Sequence, residues 1–402
     1  MAKLTLADLD PAGTRILVRV DFNVPLKDGE ITNDARIVAS LPTIRALTEK
    51  GARVILLSHL GRPKGEVRPE YSLEPVAARL ASHLGHEVRF VGDSVGPAPL
   101  GISEKLEDGE VLLLENLRFH PEEEANDDGF AGQLAQLGDI YVNDAFGTAH
   151  RAHASTDALP RRMRQAAAGL LMERELHYLD SALVDPPRPF VAVLGGAKIS
   201  GKMDVIRRLL TKVDTILVGG GTTFTFYKAL GVAIGDSLLE SDRVEMAAET
   251  LEAAREAGVE ILLPADSIVS AGADGSEPFE ATEGMDIPEG KMGVDIGPRT
   301  RDRFREILAG AGTVVWNGPL GIFEVPEFAQ GTLDVAKAVA TATGHGATTI
   351  VGGGDSVAAV SRSGLTPDDF SHVSTGGGAF LEYLEGRELP GVAALTDKGG
   401  RS

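Results

Sequence analysis

The 402-residue chain contains no cysteine, which excludes disulfides, thiolate metal sites and a cysteine nucleophile while leaving the redox compartment undetermined. Basic charge is also short. Against 59 Asp and Glu stand only 39 Lys and Arg, a formal net charge of −20, so no overall basic footprint suits a nucleic acid or an anionic membrane. No apolar run approaches the roughly 18 residues of a membrane span, and the first residues lack the apolar core of a signal peptide. The expectation is a cytoplasmic protein with no membrane and no nucleic-acid partner. A G-x-G-x-x-G fingerprint is missing, which weakens a dinucleotide-binding reading. No Ser-His-Asp arrangement, low-complexity segment or short repeat stands out.

Glycine, by contrast, is plentiful and clustered. Val351-Gly352-Gly353-Gly354-Asp355-Ser356 and Thr375-Gly376-Gly377-Gly378 each follow a short apolar or β-branched stretch and precede residues able to start a helix. Such a turn can cradle phosphate, because glycine permits φ > 0 and lets a backbone N–H reach an oxygen that a Cβ would block. Asp355 is then placed to hold Mg²⁺ or to cap the helix. A tight strand-to-helix turn explains either cluster taken alone.

Apolar runs punctuate the chain at Arg15 to Val20, Val54 to Leu57, Val88 to Val91, Val111 to Leu114, Ile140 to Val142, Phe190 to Leu194, Thr215 to Val218, Ile261 to Leu263, Val314 to Trp316 and Thr348 to Val351. Helix-period segments alternate with them, among them Leu41 to Thr48, Val76 to Leu84 and Arg243 to Ala257. This pattern predicts an α/β protein with parallel sheets, whose ligands bind beyond the carboxyl ends of the strands. The length suits two domains of roughly 200 residues each. Leu170, Leu171, Leu176, Leu179 and Leu183 recur at helical spacing before Asp185-Pro186-Pro187-Arg188-Pro189, which predicts a connecting helix stopped by proline.

In the first half Arg36, Arg62, Arg118 and Arg151 follow apolar runs or lie in the loops between them, near Asp21, Asn23, His59 and His153. Guanidinium forks match phosphate and carboxylate, so their convergence would suit a small phosphorylated acid. Each arginine alone reads as a solvated surface residue. In the second half Gly196, Gly201 and Lys202 fit the spacing of a P-loop, but Met203 stands where that motif needs a hydroxyl on Mg²⁺. Lys198 and Lys202, four apart, are expected to share a helical face. Gly219-Gly220-Gly221 and Asn317-Gly318-Pro319 add strand-to-loop segments that suit a flat purine, with Glu324 a candidate for a ribose hydroxyl.

Taken in order, Arg-Val-Asp-Phe-Asn-Val-Pro, Ser-His-Leu-Gly-Arg-Pro, Glu-Asn-Leu-Arg-Phe, Gly-Thr-Ala-His-Arg-Ala-His, Leu-Gly-Gly-Ala-Lys-Ile-Ser, Trp-Asn-Gly-Pro, Gly-Gly-Gly-Asp-Ser and Ser-Thr-Gly-Gly-Gly-Ala resemble the phosphoglycerate kinase family, from residue 15 to 379. The resemblance implies two doubly wound, Rossmann-like parallel-sheet domains joined by a helix, with the active site in the cleft between them. It implies a domain over 1–172 binding 3-phosphoglycerate or 1,3-bisphosphoglycerate, with 389–402 returning to it, a hinge helix over 173–187, and a nucleotide domain over 188–388. Substrate contacts would come from Asp21, Asn23, Arg36, His59, Arg62, Arg118 and Arg151. ADP or ATP, with Mg²⁺ on Asp355, would meet Lys198, Lys202, Gly219, Gly220, Asn317, Glu324, Gly352, Gly353, Gly354, Asp355 and Ser356. Catalysis would fall to Arg36, Lys198 and Gly377, in a monomer. Departures from the family pattern stand at Thr222 and Thr223 for Met-Ala, Gly201 for Asp, Ser356 for Thr and Phe380 for Ser. A P-loop-type NTPase and a non-catalytic two-domain binding protein are the competing readings.

Overall fold

The computed structural model describes residues 2–399, and the chain divides into two compact units, one ending at Leu176 and resuming at Glu388, the other running His177–Arg387. Near-continuous Val, Ile and Leu runs bury both faces of a strand, the signature of a parallel sheet covered on both sides. In the first unit these runs become β1 (Arg15–Arg19), β2 (Arg53–Leu57), β3 (Val88–Val91), β4 (Val111–Leu114) and β5 (Ile140–Asn143), with β6 (Ala166–Ala168) at one edge. The order is β3-β4-β2-β1-β5-β6, all parallel. Ile16, Val18, Val54, Leu56, Val111 and Leu113 form its core with residues of α1 (Ala35–Thr48) and α2 (Glu74–Leu84).

Helix α1 begins six residues before the periodic segment Leu41 to Thr48 and runs through Pro42. Proline removes one i→i−4 bond and masks the helix in the sequence, yet Ile37, Leu41 and Ile44 still bury one face. Arg36 therefore stands in the first turn of a helix rather than in a loop. The helix α3 (Leu170–Val184) carries the chain from the first unit into the second. Its first turn is held by Asp144, whose Oδ1 accepts from Leu171 N at 2.9 Å and Met172 N at 3.3 Å, and by Thr43, whose hydroxyl accepts from Leu170 N at 2.9 Å.

The second unit holds β7 (Phe190–Leu194), β8 (Thr215–Val218), β9 (Glu260–Leu262), then an antiparallel trio β10 (Ser267–Ser270), β11 (Phe279–Ala281) and β12 (Met292–Ile296). It closes with β13 (Thr313–Asn317), β14 (Thr348–Gly352) and β15 (His372–Val373). The main sheet, β9-β8-β7-β13-β14-β15, is parallel throughout and reverses its order between β7 and β13. That reversal opens a crevice at the strand ends, where such folds take ligands. Trp316, fully buried on β13, anchors the core and donates its indole N–H to Gly318 O at 2.8 Å, fixing the loop beyond the strand. The trio, β6 and β15 were invisible in the apolar runs, being short and either alanine-rich or interrupted by polar residues. Among the described residues no helix is long and apolar enough to cross a membrane.

The returning tail joins the first unit through specific bonds, described as far as residue 399; residues 400–402 lie outside the described residues. Asn143, fully buried, donates to Gly391 O at 3.0 Å and accepts from Ala145 N at 3.0 Å, while Thr396 and Ala166 exchange two further bonds. We predict that Asn143→Ala strands both partners and lowers stability by about 1–3 kcal/mol. Hydrogen exchange should accelerate across 389–398; unchanged protection there and an unchanged urea midpoint would show that the tail is held otherwise.

Candidate active site

At the carboxyl end of the first sheet, β1 runs out through Asp21 and Asn23. Arg36 pairs through Nη1 with Asp21 Oδ2, and Asp21 Oδ1 accepts from Asn23 N at 3.3 Å. Asn23 Oδ1 in turn accepts from Gly61 N at 2.9 Å, and Arg118 Nη1 donates to Gly61 O at 2.8 Å. These bonds bring Asp21, Asn23, Arg36 and Arg118 around the loop that carries His59 and Arg62. Arg62 is exposed and bonds to no described residue, which leaves its fork open to a ligand. Arg151 donates its Nε–H to His150 Nε2 at 3.2 Å and reaches the others through its field, which acts on Arg118 and His153.

Burial gives this cluster its electrostatic character. His59 is held well below its ordinary pKa by loss of solvent and by Arg19, Arg118, Arg36 and His153. His153 falls to about 4, again through burial first and then Arg118, Arg19 and Arg151. Both imidazoles are therefore neutral among cations, and cationic forks are left to answer an anion. Arg118 is itself depressed by desolvation; its Nε lies 3.2 Å from Glu124 Oε1, off the hydrogen-bond line, so that pair is electrostatic.

In the second unit the site is built of backbone. A Cβ on Gly195 would lie 2.1 Å from Pro319 O, one on Gly220 2.8 Å from Gly196 O, and one on Gly318 2.4 Å from Gly195 O. Three strand-to-loop segments thus meet without side chains, joined by Gly195 N to Asn317 O at 2.9 Å, Gly196 N to Pro319 O at 2.7 Å and Gly220 N to Leu320 O at 2.9 Å. Asn317 extends the seam by donating to Gly352 O at 2.9 Å, and Ser356 Oγ accepts from Gly318 N at 2.7 Å. Between these segments and the antiparallel trio lies a cavity of about 280 Å³ whose lining includes Gly196, Gly220, Leu320, Glu324, Asp295 and Asp355. Asp295, buried in its wall, is pushed up to about 7, while its carboxylate accepts from Ile296 N at 2.9 Å and Gly331 N at 2.6 Å.

Both glycine clusters are strand-to-helix turns: β14 leads into α4 (Gly354–Arg362), and β15 into α5 (Gly377–Leu384). They touch, since a Cβ on Gly377 would sit 3.4 Å from Gly353 Cα. Two expectations change. Lys198 and Lys202 share no helix, because Gly196 at φ +104 and the turn closed by Lys202 N to Ile199 O delay the helix to Met203. Asp355 is no cap: Gly353 holds that position and Asp355 makes no capping bond, leaving an exposed carboxylate at the cavity. Gly219 packs closely on Leu320, whose Cδ2 a Cβ there would meet at 2.4 Å. Lys202 Nζ approaches Gly196; burial lowers its pKa, opposed by Asp355 and Glu240. Lys198 is exposed and forms no hydrogen bond or ion pair with a described residue, though its field reaches Glu240.

Residues 6–387 match the family model described as phosphoglycerate kinase. The chain belongs to the phosphoglycerate kinase family. It is 56% identical to the phosphoglycerate kinase of Chlorobium luteolum over 397 residues, covering 98% of this chain and 100% of the relative. With that of Moorella thermoacetica it shares 56% over 398 residues, 99% and 100% of the two chains. Among solved structures it resembles phosphoglycerate kinase from Coxiella burnetii at 43% identity and TM-score 0.90, covering 98% and 99% of the chains. It also resembles that from Pyrococcus horikoshii at 35% and 0.84, covering 98% of each.

The departures from the phosphoglycerate kinase pattern have structural places. Thr222 ties two glycine turns by donating to Gly196 O at 3.2 Å, while Thr223 lines the cavity with a buried hydroxyl that bonds to no described residue. Phe380 is fully buried beneath Gly352, where a Cβ would lie 2.3 Å from its ring. Gly201 faces open space. Sequence reasoning passed over Arg19, 1% exposed at the end of β1, because an arginine at a strand end reads as solvated; the signal was its place heading Arg19-Val20-Asp21-Phe22-Asn23.

His153 carries a pH prediction. Unfolded, it binds a proton below pH 6.5; folded, it stays neutral to about 4, so the unfolded state holds more protons in that window and stability falls as pH drops through it. Asp144 and Asp295, raised to about 6 and about 7, act in the opposite sense by holding protons in the folded state. His153→Gln should therefore flatten the acid loss, by on the order of 1 kcal/mol between pH 6.5 and 4 after allowance for partial exposure. Parallel stability-versus-pH curves for parent and variant would refute the assignment.

Proposed function

We propose that this chain transfers the acyl phosphate of 1,3-bisphosphoglycerate to ADP carried with Mg²⁺, giving 3-phosphoglycerate and ATP, reversibly. It is a phosphotransferase with a carboxyl acceptor. The observation that carries the detailed reading is the pairing, in one chain, of an arginine cluster with neutral histidines and a cavity edged by glycine turns and apolar side chains that ends at an uncommitted carboxylate. The first suits a phosphorylated acid. The second suits a purine nucleotide, with the open N–H groups in the first turn of the helix at Gly354 toward its phosphates.

Asp355 fits Mg²⁺, which takes one or two carboxylates and otherwise phosphate oxygens and water. No group of three or more His, Asp or Glu among the described residues forms a complete cage, in keeping with a metal that arrives on the nucleotide. Bound there, the ion would neutralise phosphate charge. Glu324 stands at the cavity for the ribose, and Lys202 beside Gly196 for the phosphates.

In the reverse direction the attacking group is a carboxylate, already ionised at neutral pH, so no general base is required. What remains is alignment and stabilisation of charge on the transferring group. Arg36 answers that charge from the first unit. Lys198 and the first N–H groups of α5, at Gly377, answer it from the second. Arg36 reaches its working position while paired with Asp21, which steers the guanidinium and leaves further donors on its fork. We place the reaction in a cytoplasmic monomer, with the chain crossing near Leu170 to Pro189 acting as hinge. A P-loop NTPase lacks its hydroxyl at Met203.

Arg36→Ala tests the assignment. Loss of one such donor should lower kcat by about 10²–10³ with smaller changes in KM for either substrate. Steady-state kinetics decide between roles: an unchanged kcat with a large rise in KM would make Arg36 an anchor for the bound acid only.

A further inference from the structure

Arg19 is buried at the end of β1, and each of its observed bonds has a fixed direction. Guanidinium only donates. Its Nε–H goes to Ser155 Oγ at 2.8 Å, and that hydroxyl donates in turn to Glu123 Oε1 at 2.6 Å. Glu123 is fully buried and is fixed by a second bond, Ser155 N to Oε2 at 2.9 Å. Nη1 of Arg19 bonds the carbonyl of Val20, and Nη2 lies 3.2 Å from Nδ1 of His59. Since the arginine cannot accept, Nδ1 must. A neutral imidazole that accepts at Nδ1 carries its proton on Nε2.

His59 is only 4% exposed, yet Nε2 bonds to no described residue and is not among the sealed, unpartnered polar atoms. It therefore keeps contact with solvent inside the arginine cluster. We propose that Arg19 is a positioning residue that locks His59 as the Nε2–H tautomer, presenting that N–H as a neutral donor to the anionic substrate of the first unit. The inference rests on the reading of that unit as the phosphorylated-acid site. The groups facing the ring, Arg19, Arg118, Arg36 and His153, all oppose a second proton.

A neutral donor has a use here. It discriminates by hydrogen-bond direction without adding another cation to the cluster. Arg19 itself touches no substrate in this account; it acts through the ring.

The test is long-range ¹H–¹⁵N correlation spectroscopy on the ¹⁵N-labelled full chain, with and without 3-phosphoglycerate. His59 should show a bare Nδ1 and a protonated Nε2 between pH 6 and 8, and the Nε2 proton should move downfield on addition of the acid. Arg19→Lys gathers its donors on one nitrogen, which cannot reach all three acceptors, and should mix the tautomers, raising KM for 3-phosphoglycerate about 10–100-fold while KM for ATP holds. Ser155→Ala, which frees Nε alone, should shift the tautomer balance less and keeps the test open if the arginine variant folds poorly. An Nδ1–H tautomer or an imidazolium in the parent protein would overturn the proposal. So would variants with the parent's His59 spectrum, or an Nε2 proton that stays fixed while the acid shifts the Arg118 side chain. No ligand-induced shift anywhere in the first unit would instead overturn the site reading beneath it.

Discussion

The second unit depends on backbones approaching more closely than any side chain allows. Gly195, Gly220 and Gly318 let the loops after three neighbouring strands close on one another, and the bonds between them are almost wholly main-chain. The consequence is chemical as well as mechanical. The seam spends its own N–H groups on itself, so in the proposed reading the donors for a phosphate are the open N–H groups in the first turns of the two helices that follow Gly353 and Gly376. The sheet's order reversal between β7 and β13 opens the crevice that these glycines line.

The first unit solves the opposite problem with side chains. Several arginines brought together repel one another, and burying Arg19 and Arg118 removes water that would screen them. Compensation comes from Asp21, Glu123 and Glu124 and from backbone carbonyls, while His59 and His153 relieve the strain by staying neutral. The cluster keeps an uncommitted positive face, to which Arg62 contributes an open fork. In the proposed reading, an anionic ligand completes the charge balance that the protein leaves unfinished.

Much of this was legible in the residues. The ten apolar runs named strands to within about a residue because parallel strands are apolar on both faces and end abruptly in Gly, Asn or Asp. Both glycine clusters were readable as strand-to-helix turns for the same reason. What stayed hidden depended on tertiary context. Pro42 disguised the start of α1, the alanines of β6 carry no strand signal, and the local pattern of Lys198 and Lys202 suggested a helix where the chain makes a turn instead, the helix beginning only at Met203. Asp355 shows the limit most plainly: a carboxylate after a glycine turn caps a helix or stays free for a cation, and only the backbone, with Gly353 at the cap, separates the two.

The central claim is that the arginine cluster and the glycine-walled cavity serve one transfer from phosphate to carboxylate. Hydroxylamine traps an acyl phosphate as a stable hydroxamate, so incubation with 3-phosphoglycerate, ATP and Mg²⁺ reports that transfer directly. Hydroxamate and ADP forming in equal amounts, and only when both substrates are present, is the predicted result. ADP released with inorganic phosphate regardless of 3-phosphoglycerate, or no turnover of either, would contradict it.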